Sequence, residues 1–107
     1  MKKQLSIAVA GIIAAAAFTT AYAQDSGAAT YKAKCQMCHA ADGSGDTPAG
    51  KAMKALSFER PEAIKTSDAD LTAIVKNGKG KMPAYSGKLS DAQITEVVAY
   101  IRTLQKK

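Results

Sequence analysis

The two cysteines and the single histidine of this chain fall within five consecutive residues, Cys35-Gln36-Met37-Cys38-His39. A C-x-x-C-H box is the spacing that attaches a c-type haem covalently. Thiols at i and i+3 share one helix face, so both can bond one edge of a porphyrin, and His39 can then reach the iron. Local sequence thereby supplies one axial ligand. A distant segment must supply the second, and its identity decides what the iron can do.

Other chemistries use C-x-x-C, and the residue counts bear on them. A closed zinc site would need a carboxylate as fourth ligand, because no further Cys or His exists. A thioredoxin-like pair is expected beside a βαβ pattern, whereas the flanks here are rich in Ala and Lys. A disulfide between Cys35 and Cys38 would close a very small loop and add little stability. The complete five-residue pattern favours haem over all three.

The candidate for the second ligand is Met82, within Gly80-Lys81-Met82-Pro83-Ala84-Tyr85, a stretch too rich in Gly and Pro for helix. A ligand loop needs backbone freedom to approach the cofactor and rigidity to stay there, which Gly80 and Pro83 provide. His/Met ligation is a known c-type arrangement. The competing reading is that Met82 fills core. Met53 stands at helical spacing from Leu56 and reads as packing, Met37 sits inside the box, and Met1 belongs to the leader.

Helices must position these groups. Ser26 to Lys34 leads into the box, with Ser26 a possible N-cap. Asp42 to Gly50 has loop composition, Ala52 to Leu56 could form a short helix, and Pro61 is read as an interruption. Ser67 and Asp70 form a cap pair for a helix bearing Leu71, Ile74 and Val75, stopped at Asn77 and Gly78. Ser90 with Gln93 makes a capping box, followed at helical spacing by Ile94, Val97, Val98, Ile101 and Leu104. No segment alternates with period two and no repeat occurs, so the expected class is all-α, with about four helices wrapped around one covalently bound haem.

Residues 1–23 read as a secretory signal: Lys2 and Lys3, an apolar stretch from Ile7 to Phe18, then Ala21-Tyr22-Ala23 as cleavage site. That stretch is shorter than the roughly 20 residues a spanning helix needs, so the processed chain is not expected to be an integral membrane protein. The expected domain is then 24–107, near the small end of what a single core supports. A haem would add the large apolar faces that Tyr31, Phe58, Tyr85 and Tyr100, the only aromatics of that domain, cannot supply. Loss of Lys2 and Lys3 takes the formal charge from +6 to +4. For an exported chain this basic balance does not point to nucleic acid.

Together the early box, the Met-Pro loop and the capped final helix resemble a class I cytochrome c of the small soluble bacterial type, over nearly all of residues 24–107. The resemblance implies one haem c, attached outside the cytoplasm, and hence a periplasmic location. It implies a crossing of the first and last helices, for which Gly27, Tyr31 and Tyr100 match the family's small and aromatic residues. It implies that Pro48 offers its carbonyl to the ligating histidine, a bond that would orient the ring and raise its basicity; the alternative is a simple turn proline. The chain lacks Trp, so Tyr85 is the substitute donor for a haem propionate. With His39 and Met82 both bound the iron is closed, and the expected role is one-electron transfer through an exposed haem edge, not enzymatic turnover. Lys76, Lys79, Lys81 and Lys88 surround the ligand loop and would steer redox partners with acidic docking surfaces. The alternative is a haem enzyme or gas sensor whose sixth position stays open.

Overall fold

The computed structural model describes residues 26–105. The leader 1–23 and the first and last two residues of the expected domain 24–107 lie outside that range. Among the described residues the structure is all-helical, with six helices where about four were expected. Helix α1 runs through residues 26–34, followed by α2 (Gln36–His39), α3 (Pro48–Met53), α4 (Pro61–Lys65), α5 (Asp68–Asn77) and α6 (Asp91–Leu104).

The two longest follow from local signals. Ser67 caps α5 by accepting from the Asp70 amide at 3.0 Å, with Asp68 and Asp70 favourably placed in the first turn. At α6 the Ser90 hydroxyl accepts from the Gln93 amide at 3.1 Å, and the Gln93 side chain accepts from the Ser90 amide at 2.8 Å. This reciprocal pair satisfies two amides that would otherwise lack partners at the helix start.

The short helices correct two expectations. Pro61 begins a helix, because proline's fixed φ and missing N–H suit the first helical position. The helix expected over Ala52 to Leu56 lies earlier, over Pro48–Met53, with Thr47 as its cap. The Thr47 hydroxyl accepts from the Gly50 amide at 2.8 Å and donates back to the Met37 carbonyl at 2.7 Å. One side chain thus both starts α3 and ties it to the box.

Helix α6 organises the core. Its buried residues Ile94, Val97, Val98 and Ile101 follow an i, i+3, i+4, i+7 pattern that makes one apolar stripe. Ile94 and Val98 pack with Val75 and Leu89, while Val97 and Ile101 pack with Tyr31. Burying each such side chain is worth about 1.5–3 kcal/mol. The expected crossing of α1 on α6 is present: a Cβ at Gly27 would lie only 3.3 Å from Tyr100 Cβ and closer still to the Glu96 carbonyl. Only glycine permits so close an approach. Tyr31, 1 % exposed, lies 5.2 Å from the Tyr100 ring between centroids.

In the last turn of α6, Arg102 holds α4 in place. Its Nε donates to Asp68 at 2.9 Å, and its terminal nitrogens reach the Thr66 and Ala63 carbonyls and the Gln105 side chain. Carbonyls at the end of a five-residue helix thereby gain a charged donor.

Two substitutions test this packing. Gly27→Val forces α1 off α6 and should cost the holoprotein about 1–3 kcal/mol in denaturant unfolding. Ala40, directly after the box, has φ 70° and ψ 162°, a region populated almost solely by glycine. Ala40→Gly should therefore raise stability, by about 1 kcal/mol in the same assay.

Candidate haem site

The box occupies the break between α1 and α2. Cys35 ends the first run with its amide bonded to the Tyr31 carbonyl at 2.8 Å, and its own carbonyl starts the next by accepting from His39 at 2.9 Å. The Tyr31 hydroxyl donates to the Ala40 carbonyl at 2.6 Å, bracketing the box from both ends. Ala40 is held in its costly backbone conformation by that bond and by its amide's bond to Gln36 at 2.9 Å. The Thr47 hydroxyl fixes the outer side of the same turn.

Cys35, Cys38 and His39 line one cavity of about 540 Å³, within the roughly 300–1,000 Å³ of small-molecule and cofactor sites. Its other lining includes Leu71, Ile74 and Val75 of α5, Ile101 of α6, Phe58 and the loop residues Met82, Pro83 and Tyr85. The two thiols are unpaired with one another. Burial, then the neighbouring Cys38, pushes the Cys35 thiol up to about 11, so it stays protonated at neutral pH. Burial lowers His39 below its ordinary value, leaving a neutral imidazole with a lone pair for metal. Its Nδ1 is buried without a hydrogen-bond partner. A buried polar atom left so is costly.

Phe58 stacks on the His39 ring with centroids 4.7 Å apart and planes inclined by 26°. Its backbone is held by the Gly43 carbonyl at 2.9 Å and the Gln105 side chain at 3.0 Å. Sequence reasoning gave Phe58 no role, since the contact joins residues 19 positions apart and no local pattern marks it. Thr47 was missed too, although a Thr-Pro pair is a readable cap and first-turn signal.

Met82 lines the cavity from a closed turn. Lys79 and Met82 exchange backbone bonds of 3.1 and 2.9 Å, with Gly80 at φ +57 in the first of two loop positions, as type II′ geometry demands. Gly78 backs this turn. A Cβ there would meet the Met82 carbonyl at 2.6 Å and the Ala84 amide at 3.0 Å, so the glycine that ends α5 also makes room for the loop. Met82 further packs against the Val75, Leu89, Ile94 and Val98 cluster.

One expectation differs from the structure. Met53 was read as packing with Leu56, yet both residues line the cavity, 41 % and 55 % exposed. His39 Nδ1 has no hydrogen-bond partner, and Pro48 is the first residue of α3. The Tyr85 hydroxyl, expected to donate to a haem propionate, donates here to the Lys34 carbonyl at 3.1 Å. Of the four lysines around the loop, Lys76 pairs with Asp91 at 3.4 Å and Lys88 sits 5.5 Å over the Tyr85 ring. Lys79 and Lys81 are exposed and line the cavity.

The residues present fit a haem c: two thiols and a neutral imidazole with a partnerless nitrogen line one largely apolar cavity, with a methionine sulfur in its lining. The comparisons agree. The family described as cytochrome C oxidase, cbb3-type, subunit III matches residues 23–101. The cytochrome c6 of a Picosynechococcus species is 37 % identical across 94 % of this chain and 92 % of its own, and that of a Nostoc species 38 % identical over the same shares. Among solved structures the KustC0563 c-type cytochrome matches with a TM-score of 0.69 and 28 % identity, covering 75 % of this chain and 98 % of its own. The chain therefore belongs with these relatives to the small monohaem class I c-type cytochromes.

Proposed function

We propose that this chain is an exported one-electron carrier whose single haem c is attached through Cys35 and Cys38 and ligated by His39 and Met82. The observation that carries the reading is that all four side chains line one cavity. The bound haem supplies an iron that accepts and returns one electron. The protein's part is to hold the group and close its coordination. Each thiol would add its S–H across a vinyl C=C of the porphyrin, sulfur to one carbon and hydrogen to the other, and the burial that keeps His39 neutral leaves its imidazole free to bind metal. The Met82 thioether, fixed by the Lys79 turn, favours the reduced state and so raises the potential. Two protein ligands leave no position for oxygen, peroxide or substrate, which suits a carrier and not an enzyme. The apolar lining keeps water away and limits reorganisation when charge changes.

Lys2, Lys3, the apolar stretch and Ala21-Tyr22-Ala23 support removal of residues 1–23 and a periplasmic location. No helix among the described residues is long and apolar enough to cross a membrane. Lys79 and Lys81, exposed at the cavity lining, with Lys76 and Lys88 behind them, give this face a positive field suited to redox partners with acidic surfaces. Pro48 remains near the box as the candidate carbonyl partner of His39 once haem is bound.

Spectroscopy tests the ligand set. The ferric holoprotein should be low-spin with a sulfur-to-iron charge-transfer band; Met82→Ala abolishes that band and Met53→Ala keeps it. A high-spin wild-type spectrum overturns the reading. For the lysine face, the rate at which ferricyanide oxidises the ferrous protein should fall roughly tenfold from low to high salt. A flat response removes the steering role, and Lys79→Glu with Lys81→Glu should flatten it.

A further inference from the structure

The Tyr85 hydroxyl gives the ligand loop its one hydrogen bond to the helix that carries the box. It donates to the Lys34 carbonyl at 3.1 Å across 51 positions of sequence. Among the described residues no other hydrogen bond joins segment 78–86 to segment 26–40. Lys34 immediately precedes Cys35, and its carbonyl is open for a specific reason. In an unbroken helix it would accept from the Cys38 amide four residues on, but that amide turns to the Cys35 carbonyl at 3.2 Å. The break that presents the thiols thus leaves an acceptor at the end of α1, and Tyr85 fills it.

The rest of Tyr85 is anchored independently of its hydroxyl. Its amide donates to the Val75 carbonyl at 3.0 Å, its carbonyl accepts from Lys88 and Leu89 at 2.9 Å each, and its ring packs on the Val75 and Leu89 cluster. Only Pro83 and Ala84 separate it from Met82. We infer that Tyr85 is a positioning residue: its hydroxyl straps the Met82 loop to the box and sets how readily the loop swings open to let an outside ligand replace the sulfur. This rests on Met82 being the sixth ligand.

Because the ring and backbone have their own contacts, Tyr85→Phe removes the strap and little else. Imidazole titrated into the ferric holoprotein, followed by loss of the sulfur charge-transfer band, reads the open fraction of the loop. Tyr85→Phe should raise the apparent imidazole affinity roughly three- to tenfold, the factor matching one neutral hydrogen bond. In a Met82→Ala background, where no sulfur holds the sixth position, the same substitution should change imidazole affinity by less than about twofold. An unchanged affinity for Tyr85→Phe, with the wild-type band present, overturns the strap and leaves the ligand assignment standing. An equal rise in the Met82→Ala background also overturns it, since the effect would then lie in the pocket and not in the loop. Absence of the band from the wild type overturns the ligand assignment and the strap with it.

Discussion

Everything near the site depends on α1 lying flat across α6, and that crossing depends on the absence of a side chain at Gly27. Close approach lets Tyr31 bury its ring against Val97 and Ile101 and aim its hydroxyl at Ala40. The box is then suspended between two points of one tyrosine: the Tyr31 carbonyl holds the Cys35 amide, and the Tyr31 hydroxyl holds the residue after His39. Such a buried hydroxyl must find a partner, and here the partner is the backbone that positions the iron ligand. Packing and ligand geometry are one constraint.

The same helix serves the other ligand. Ile94 and Val98, a turn from the residues that seat Tyr31, support the cluster on which Met82 and Tyr85 rest. The core is therefore two small patches along one stripe, with Val75 and Ile101 contributing to both a patch and the cavity lining. Neither patch alone is large. A cofactor with broad apolar faces adds contact that a small domain with few aromatic residues cannot otherwise obtain.

How far the sequence could be read varies with the range of the interaction responsible. The box and the caps at Ser67 and Ser90 were legible because each is complete within five residues. The α1–α6 crossing was legible only through the family resemblance that Gly27, Tyr31 and Tyr100 carried. In the stretch from Asp42 to Thr66 the local helix starts at Thr47-Pro48 and Pro61 were readable but overlooked, whereas the contacts that hold these short helices come from distant residues. Thr47 reaches back to Met37, Arg102 reaches back to the end of α4, and Phe58 meets His39. The bond from the Tyr85 hydroxyl to the Lys34 carbonyl was not legible for the same reason. Nothing in the sequence shows that the break at Cys35 frees the Lys34 carbonyl.

The Arg102 contacts have a consequence for the firmness of the site. Helix α4 is five residues long, below the length at which a helix is stable by itself, and the guanidinium that satisfies its carbonyls sits in the last turn of α6. The segment from Arg60 to Thr66, which walls the cavity, is therefore held from outside itself, by a residue of the final helix. One wall of the site is only as firm as the packing of α6.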